Sequence, residues 1–161
     1  MKRFFSLLIL TVLFSCNSSA QKAKSEKAES FPVNKTEAEW KAELTDQEFY
    51  VLRKAGTERP FTSPLNKNYE VGTYHCAGCG TALFKSEHKF DSGTGWPSFD
   101  REIKGNVAFS TDYNLGYART EEHCATCGGH LGHVFNDGPR DTTGKRHCIN
   151  GVALDFKPEK E

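Results

Sequence analysis

The chain has 161 residues, a formal net charge of zero and 37% hydrophobic content, which allows one domain with a self-sufficient core. Charge balance removes the electrostatic footprint of a nucleic-acid binder, and Met1 as the single methionine excludes a Met-rich adaptable binding surface. Aromatic residues at 12%, twelve of them Phe, supply the bulk for a compact interior.

Lys2 and Arg3 precede an apolar stretch, Phe4 to Phe14, that is too short to span a bilayer and reads as an export signal over residues 1–15. Leu13-Phe14-Ser15-Cys16 resembles the bacterial lipobox, so Cys16 is expected to become lipidated and N-terminal after cleavage. Ordinary secretion with cleavage near Ala20 is the alternative. The lipobox reading places the protein in the bacterial cell envelope, lipid-anchored and facing the periplasm, with none of its folded domain in the membrane. Residues 16–35 are dominated by Ser, Ala, Lys and Glu and read as a flexible linker. The folded domain is expected over 36–161.

Thr36-Glu37-Ala38-Glu39 and Thr45-Asp46-Gln47-Glu48 both have capping-box spacing and predict two short helices. Trp40 and Leu44 share a face of the first, Phe49 and Leu52 anchor the second, and Gly56 and Pro60 end the helical part. Beyond this point short apolar or alternating runs with frequent glycine predict strands at Tyr69–His75, Thr81–Phe84, Asn106–Ser110, Tyr117–His123, Leu131–Phe135, Arg146–Asn150 and Val152–Phe156. The fold class is mainly β, with short helices at the N-terminal edge of an antiparallel core.

Cys76 and Cys79 form one Cys-x-x-Cys pair, and Cys124 and Cys127 form a second. Four soft sulfur ligands, with Gly78, Gly80 and Gly128 permitting tight turns, suit a structural zinc site. Two disulfides are the competing reading for an exported protein, and a redox-active dithiol lacks the expected βαβ context.

Cys148 stands apart. On an extended Arg146 to Asn150, side chains alternate, so Arg146, Cys148 and Asn150 share a face that carries a cation, a thiol and an amide. A nearby guanidinium favours the thiolate, and a buried inert thiol is the bland alternative. His130 and His133 offer imidazoles suited to proton transfer near neutral pH, or stand as supporting or surface histidines. Trp96 lies in a Gly/Pro loop and suits either a pocket wall or the core.

Thr57-Glu58-x-Pro60-Phe61, the two Cys-x-x-Cys pairs, Gly93-Thr94-Gly95-Trp96-Pro97-Ser98-Phe99, His130-Leu131-Gly132-His133-Val134-Phe135 and Arg146-x-Cys148-x-Asn150 occur in order between about Trp40 and Phe156. Together they resemble the B-type methionine sulfoxide reductases. The resemblance implies a barrel-like core of two antiparallel sheets with a structural zinc distant from the nucleophile. It implies reduction of methionine (R)-sulfoxide, free or in proteins and peptides, to methionine. Cys148 would attack the sulfoxide sulfur and become a sulfenic acid. Trp96 would pack on the substrate methyl, His130, His133 and Asn150 would bind and protonate the sulfoxide oxygen, and Arg146 would support the thiolate.

Many members of that family carry a resolving cysteine where this chain has Thr94, so an external thiol, thioredoxin-like or otherwise, is expected to reduce the sulfenic acid. Gly151-Val152 stands where the family often has Ser-Ala. The expected partners are oxidised proteins or peptides and that reductant, with no nucleic acid, a membrane contact only through lipid, and a monomeric state. The competing function is an exported zinc-binding interaction module without catalysis.

Overall fold

The computed structural model describes residues 31–160. The export signal, Cys16 and the linker up to residue 30 lie outside the described residues.

Two capping boxes open the fold. The Thr36 hydroxyl accepts the Glu39 amide while the Glu39 carboxylate accepts the Thr36 amide, and Thr45 and Glu48 repeat the arrangement. Each box satisfies two amides that a helix start leaves without partners. The helices are α1, Glu37–Glu43, and α2, Asp46–Lys54. α2 stops where Ala55 turns left-handed at φ 51° and the Gly56 amide donates back to the Tyr50 carbonyl.

The strands are β1 (Gly72–Cys76), β2 (Ala82–Lys85), β3 (Lys89–Phe90), β4 (Ser98–Phe99), β5 (Val107–Asp112), β6 (Arg119–Cys124), β7 (His130–Phe135), β8 (Arg146–Ile149) and β9 (Leu154–Pro158). They form two antiparallel sheets, one ordered β2-β1-β9 and the other β3-β4-β8-β7-β6-β5. Aromatic rings join the two sheets. Phe84 of β2 stacks on Phe99 of β4 at 4.4 Å, and Tyr74 of β1 meets Phe99 at 5.0 Å and Phe156 of β9 at 4.9 Å. Tyr74, Phe84 and Phe99 are fully buried, and burial of a side chain of this kind contributes about 1.5–3 kcal/mol.

Strand limits differ from the periodicity reading for local reasons. β1 starts at Gly72, not Tyr69, because Asn68 Oδ1 accepts the Glu70 amide and bends the chain there. β8 ends at Ile149, and β9 begins at Leu154, not Val152. Between them residues Gly151–Ala153 form a 3-10 turn. The Glu58 carboxylate takes the amides of Gly151 at 2.6 Å and Val152 at 2.9 Å, which removes both from any ladder. β3 and β4 have two residues each, too short to show a period.

Glu58 also ties the loop before the sheets to the end of β8. Its amide donates to Asn150 Oδ1 at 3.0 Å and its carbonyl accepts Trp96 Nε1 at 3.2 Å. Gly151 is required beside it, since a Cβ there would stand 1.9 Å from Ser63 Oγ. Glu58→Ala leaves the buried Gly151 amide and the part-buried Val152 amide without this partner, and hydrogen bonds to a charged group contribute roughly 1.5–3 kcal/mol each. We expect Glu58→Ala to lose about 3 kcal/mol in urea unfolding, and a loss below about 1 kcal/mol would contradict this account.

Candidate active site

Cys148 lies on β8 directly opposite Ser98 of β4 on one side and His133 of β7 on the other. It lines an open cleft of about 140 Å³. Asn150 joins it from the end of β8, His133 and Phe135 from β7, Arg119 from β6 and Trp96 from the loop before β4. Cys148 is therefore half-buried at a surface opening and not an interior thiol.

The Trp96 wall is set by its neighbours. Gly95, at φ 95°, accepts the Phe61 amide at its carbonyl, and a side chain there would run into Pro60 and Phe61 at 2.7–2.9 Å. The indole is held at its nitrogen by Glu58.

His133 is oriented by a carboxylate that the sequence reading did not identify. Its Nε2 lies 2.9 Å from Asp112 Oδ2, which also accepts from Arg119 Nη2. The Asn114 amide hydrogen bond, followed by His133 and Arg119, holds the Asp112 carboxyl down at about 2. An ionised carboxylate only accepts, so Nε2 carries the proton and Nδ1 is left as the acceptor of the neutral ring. Burial pushes the His133 pKa below its ordinary value, which favours that neutral ring near pH 7.

His130 does not line the cleft. β6 and β7 slip register between Glu122 and His123, whose partners are Gly132 and His130, so Leu131 is an extra residue in β7. The bulge turns His130 onto the His133 side, with ring centroids 5.5 Å apart, and its Nδ1 meets Glu121 Oε1 at 2.6 Å. His130 thus supports His133 from behind.

Arg146 is pinned by Asp137 through two bonds of 2.9 Å and lies over the Phe135 ring at 4.4 Å. Its charge and hydrogen bond lower the Cys148 pKa, as does the Thr94 hydroxyl 3.9 Å from the sulfur. Burial is the larger influence and leaves the thiol above its ordinary value. The guanidinium thus favours the thiolate as expected, and burial sets the net direction. Asn150 also does more than face substrate, since Nδ2 donates to the Leu131 carbonyl at 2.9 Å while Oδ1 accepts from Glu58.

The four paired cysteines occupy two matching turns. Cys76 and Cys124 each close a loop to the residue five ahead, accept an amide from Gly80 and Gly128 respectively, and those glycines have φ 74° and 68°. All four sulfurs lie within 4.8 Å of one another, with Cys76–Cys127 at 3.7 Å and Cys79–Cys124 at 3.5 Å. Zinc–sulfur bonds of about 2.3 Å in a tetrahedron require sulfurs about 3.8 Å apart. The set fits a single tetrahedral metal ion such as zinc, and all four thiols are free, so the geometry does not describe two disulfides. Trp40 and Leu52 of the helices pack against Gly78 and Gly129 beside the cluster, and Arg53 donates to the Cys127 carbonyl at 2.9 Å. Val33 donates to the Thr126 carbonyl at 2.9 Å, and Phe31 covers Gly128.

A family profile described as the SelR domain matches residues 44–158. The chain belongs to the SelR-domain family. Among relatives named peptide methionine sulfoxide reductase MsrB, that of Chromohalobacter salexigens is 52% identical over 127 residues, covering 78% of this chain and 96% of its own. That of Leptospira interrogans is 52% identical over 130 residues, covering 80% and 98%. The relative from Methanosarcina barkeri is 53% identical over 130 residues, covering 80% and 91%. In this SelR-domain chain, Arg119, Asp112, Asp137 and Glu121 were not singled out by sequence reading, because their roles depend on strand register. The one available signal was the pair of opposite charges, Asp112 and Arg119, bracketing a hairpin turn.

Because burial keeps the folded Cys148 pKa above that of a free thiol, its thiolate fraction is small at pH 7 and grows as pH rises. The rate of Cys148 alkylation by iodoacetamide is expected to climb with a midpoint above the free-thiol value of about 8.5. Removing the cation in Arg146→Gln raises the midpoint further and slows alkylation at pH 7 about tenfold. A midpoint below that of free cysteine would refute the assigned balance.

Proposed function

We propose that this chain reduces the R epimer of methionine sulfoxide, in proteins or peptides, to methionine, with Cys148 as the nucleophile. The observation that carries the reading is the convergence of Cys148, His133, Trp96 and Asn150 on one small cleft within a SelR-domain chain. Trp96 offers an apolar wall for the substrate methyl group.

The Cys148 sulfur bonds to the sulfoxide sulfur; as the sulfur–oxygen bond breaks and the oxygen bonds to Cys148, this transient sulfur–sulfur bond also breaks, which leaves Cys148 as a sulfenic acid. Methionine leaves with the sulfur lone pair. Cysteine sulfur is oxidised by two electrons and the sulfoxide sulfur reduced by two. The proton that Cys148 loses equals the one that the oxygen gains, so the step is proton-neutral. His133, across the strands from Cys148, carries that proton at Nδ1, directly or through water. Asn150 and Arg119 face the oxygen, and Arg146 favours the attacking thiolate.

Thr94, not a second thiol, stands 3.9 Å from Cys148, and every other described cysteine belongs to the metal cluster. The sulfenic acid is therefore resolved from outside. One external thiol forms a mixed disulfide and releases water, and a second releases Cys148 as a thiol. A thioredoxin-like protein fits that role. Cys76, Cys79, Cys124 and Cys127 would hold zinc, which the four-sulfur donor set favours, and the ion would fasten their two turns together.

Turnover of each sulfoxide epimer with a dithiol reductant tests the reading. The R epimer is expected to react, the S epimer to remain, and Cys148→Ser to abolish turnover while retaining one zinc per chain. An internal Cys148 disulfide trapped after one turnover would sink the external-thiol step, and metal-free active protein would sink the zinc assignment.

The Leu13 to Cys16 pattern and the preceding apolar stretch support export, lipidation at Cys16 and a periplasm-facing position at the cell envelope. Labelling with a fatty-acid analogue in a bacterial host is expected to mark the full chain and to vanish in Cys16→Ser. Equal labelling of both forms would exclude this anchor.

A further inference from the structure

Two exposed apolar elements flank the cleft, and the chemistry above uses neither. The turn between β5 and β6 carries Tyr113, Leu115 and Tyr117, which are 67%, 60% and 58% exposed. Three large apolar side chains within five residues make a concentrated patch, unlike the scattered exposed residues of an ordinary surface. On the opposite flank in strand order, Phe61 is 67% exposed beside Gly95 and Trp96.

Both elements are fixed relative to the cleft. Asp112 Oδ1 accepts the Asn114 amide at 2.7 Å, and the Gly116 amide donates to the Tyr113 carbonyl at 2.8 Å. The other oxygen of the same carboxylate holds His133 and Arg119. One carboxylate thus folds the apolar turn and orients the histidine opposite Cys148. Phe61 has a left-handed backbone, φ 64°, secured by the hydrogen bond of 2.8 Å that its amide donates to the Gly95 carbonyl.

The cleft's size decides what else must be bound. Its volume of about 140 Å³ is well below the roughly 300 Å³ at which small-molecule sites begin. It admits one side chain and leaves a substrate's backbone outside. An extended backbone advances about 3.3 Å per residue, so residues a few positions from the seated methionine cross the rim where these aromatic and aliphatic groups stand.

We propose that the turn bearing Tyr113, Leu115 and Tyr117, with Phe61 across the cleft, docks the apolar residues that flank an oxidised methionine in an extended, unfolded polypeptide segment. This inference rests on the cleft being the methionine sulfoxide site. Apolar flanks lose water-exposed area on the rim and bind more tightly, whereas the free amino acid reaches only the cleft. The occupant is consequently polypeptide that has exposed residues normally found in a core.

The test compares kcat/KM for three substrates: free methionine (R)-sulfoxide, a hexapeptide with the sulfoxide between Val and Phe residues, and one with it between Ser and Glu residues. Wild type is expected to favour the apolar peptide over the polar one by about tenfold. The triple variant Tyr113→Ser, Leu115→Ser, Tyr117→Ser is expected to lose that preference through KM, with turnover of the free amino acid unchanged. Leu115→Asp alone is expected to give an intermediate loss. Equal wild-type rates on the two peptides, no loss in the variant, or the same loss on all three substrates would overturn the docking surface. Failure of wild type to turn over any of the three would instead overturn the reductase reading itself.

Discussion

The Glu58 carboxylate accepts the Gly151 and Val152 amides, and that clasp positions cleft residues that are far apart in sequence. It bends the chain immediately after Asn150, so the amide side chain faces the cleft and does not continue along a strand. Through its own backbone, Glu58 fixes Asn150 Oδ1 and the Trp96 indole. A carboxylate this deeply buried is tolerable only with such partners. Gly151 is the counterpart of the clasp, because Ser63 and Glu58 fill the space that a side chain would need. Glycine at that position is thus matched to its surroundings in this chain.

The chemistry at Cys148 rests on a balance in which desolvation exceeds charge. Arg146 and Thr94 favour the thiolate, yet burial outweighs them. Such a resting thiol resists adventitious oxidation, which acts on thiolates. His133 is tuned in the complementary direction, kept neutral by burial while Asp112 fixes which nitrogen can accept. The orienting carboxylate lies on β5, two strands from β7 in the sheet order, so the geometry depends on the whole sheet edge.

Features encoded over a few residues were legible in the sequence. Thr36 and Thr45 located both helices because a capping box is a local hydrogen-bond pattern. The clustering of Cys76, Cys79, Cys124 and Cys127 was legible because each pair lies on one tight turn, and Cys148 with Arg146 because two residues along a strand share a face. Features that depend on pairing between strands were not legible. Leu131 becomes a bulge only against β6, which is why His130 stands beside His133. Arg119 and Asp112 acquired roles through their register across the hairpin. The direction of the Cys148 pKa escaped because burial is a property of the finished fold, whereas a neighbouring arginine is visible in the chain.

Strand β6 spans the domain from Arg119 at the cleft to Cys124 at the metal cluster, about 17 Å apart for five extended residues. The chain's N-terminal approach, through Phe31 and Val33, is seated on the turn that follows Cys124. Any pull applied through that segment enters the protein at the four-sulfur end, which is cross-braced by two knuckles, α2 and Trp40. The N-terminal approach and the cleft rim therefore lie at opposite ends of β6.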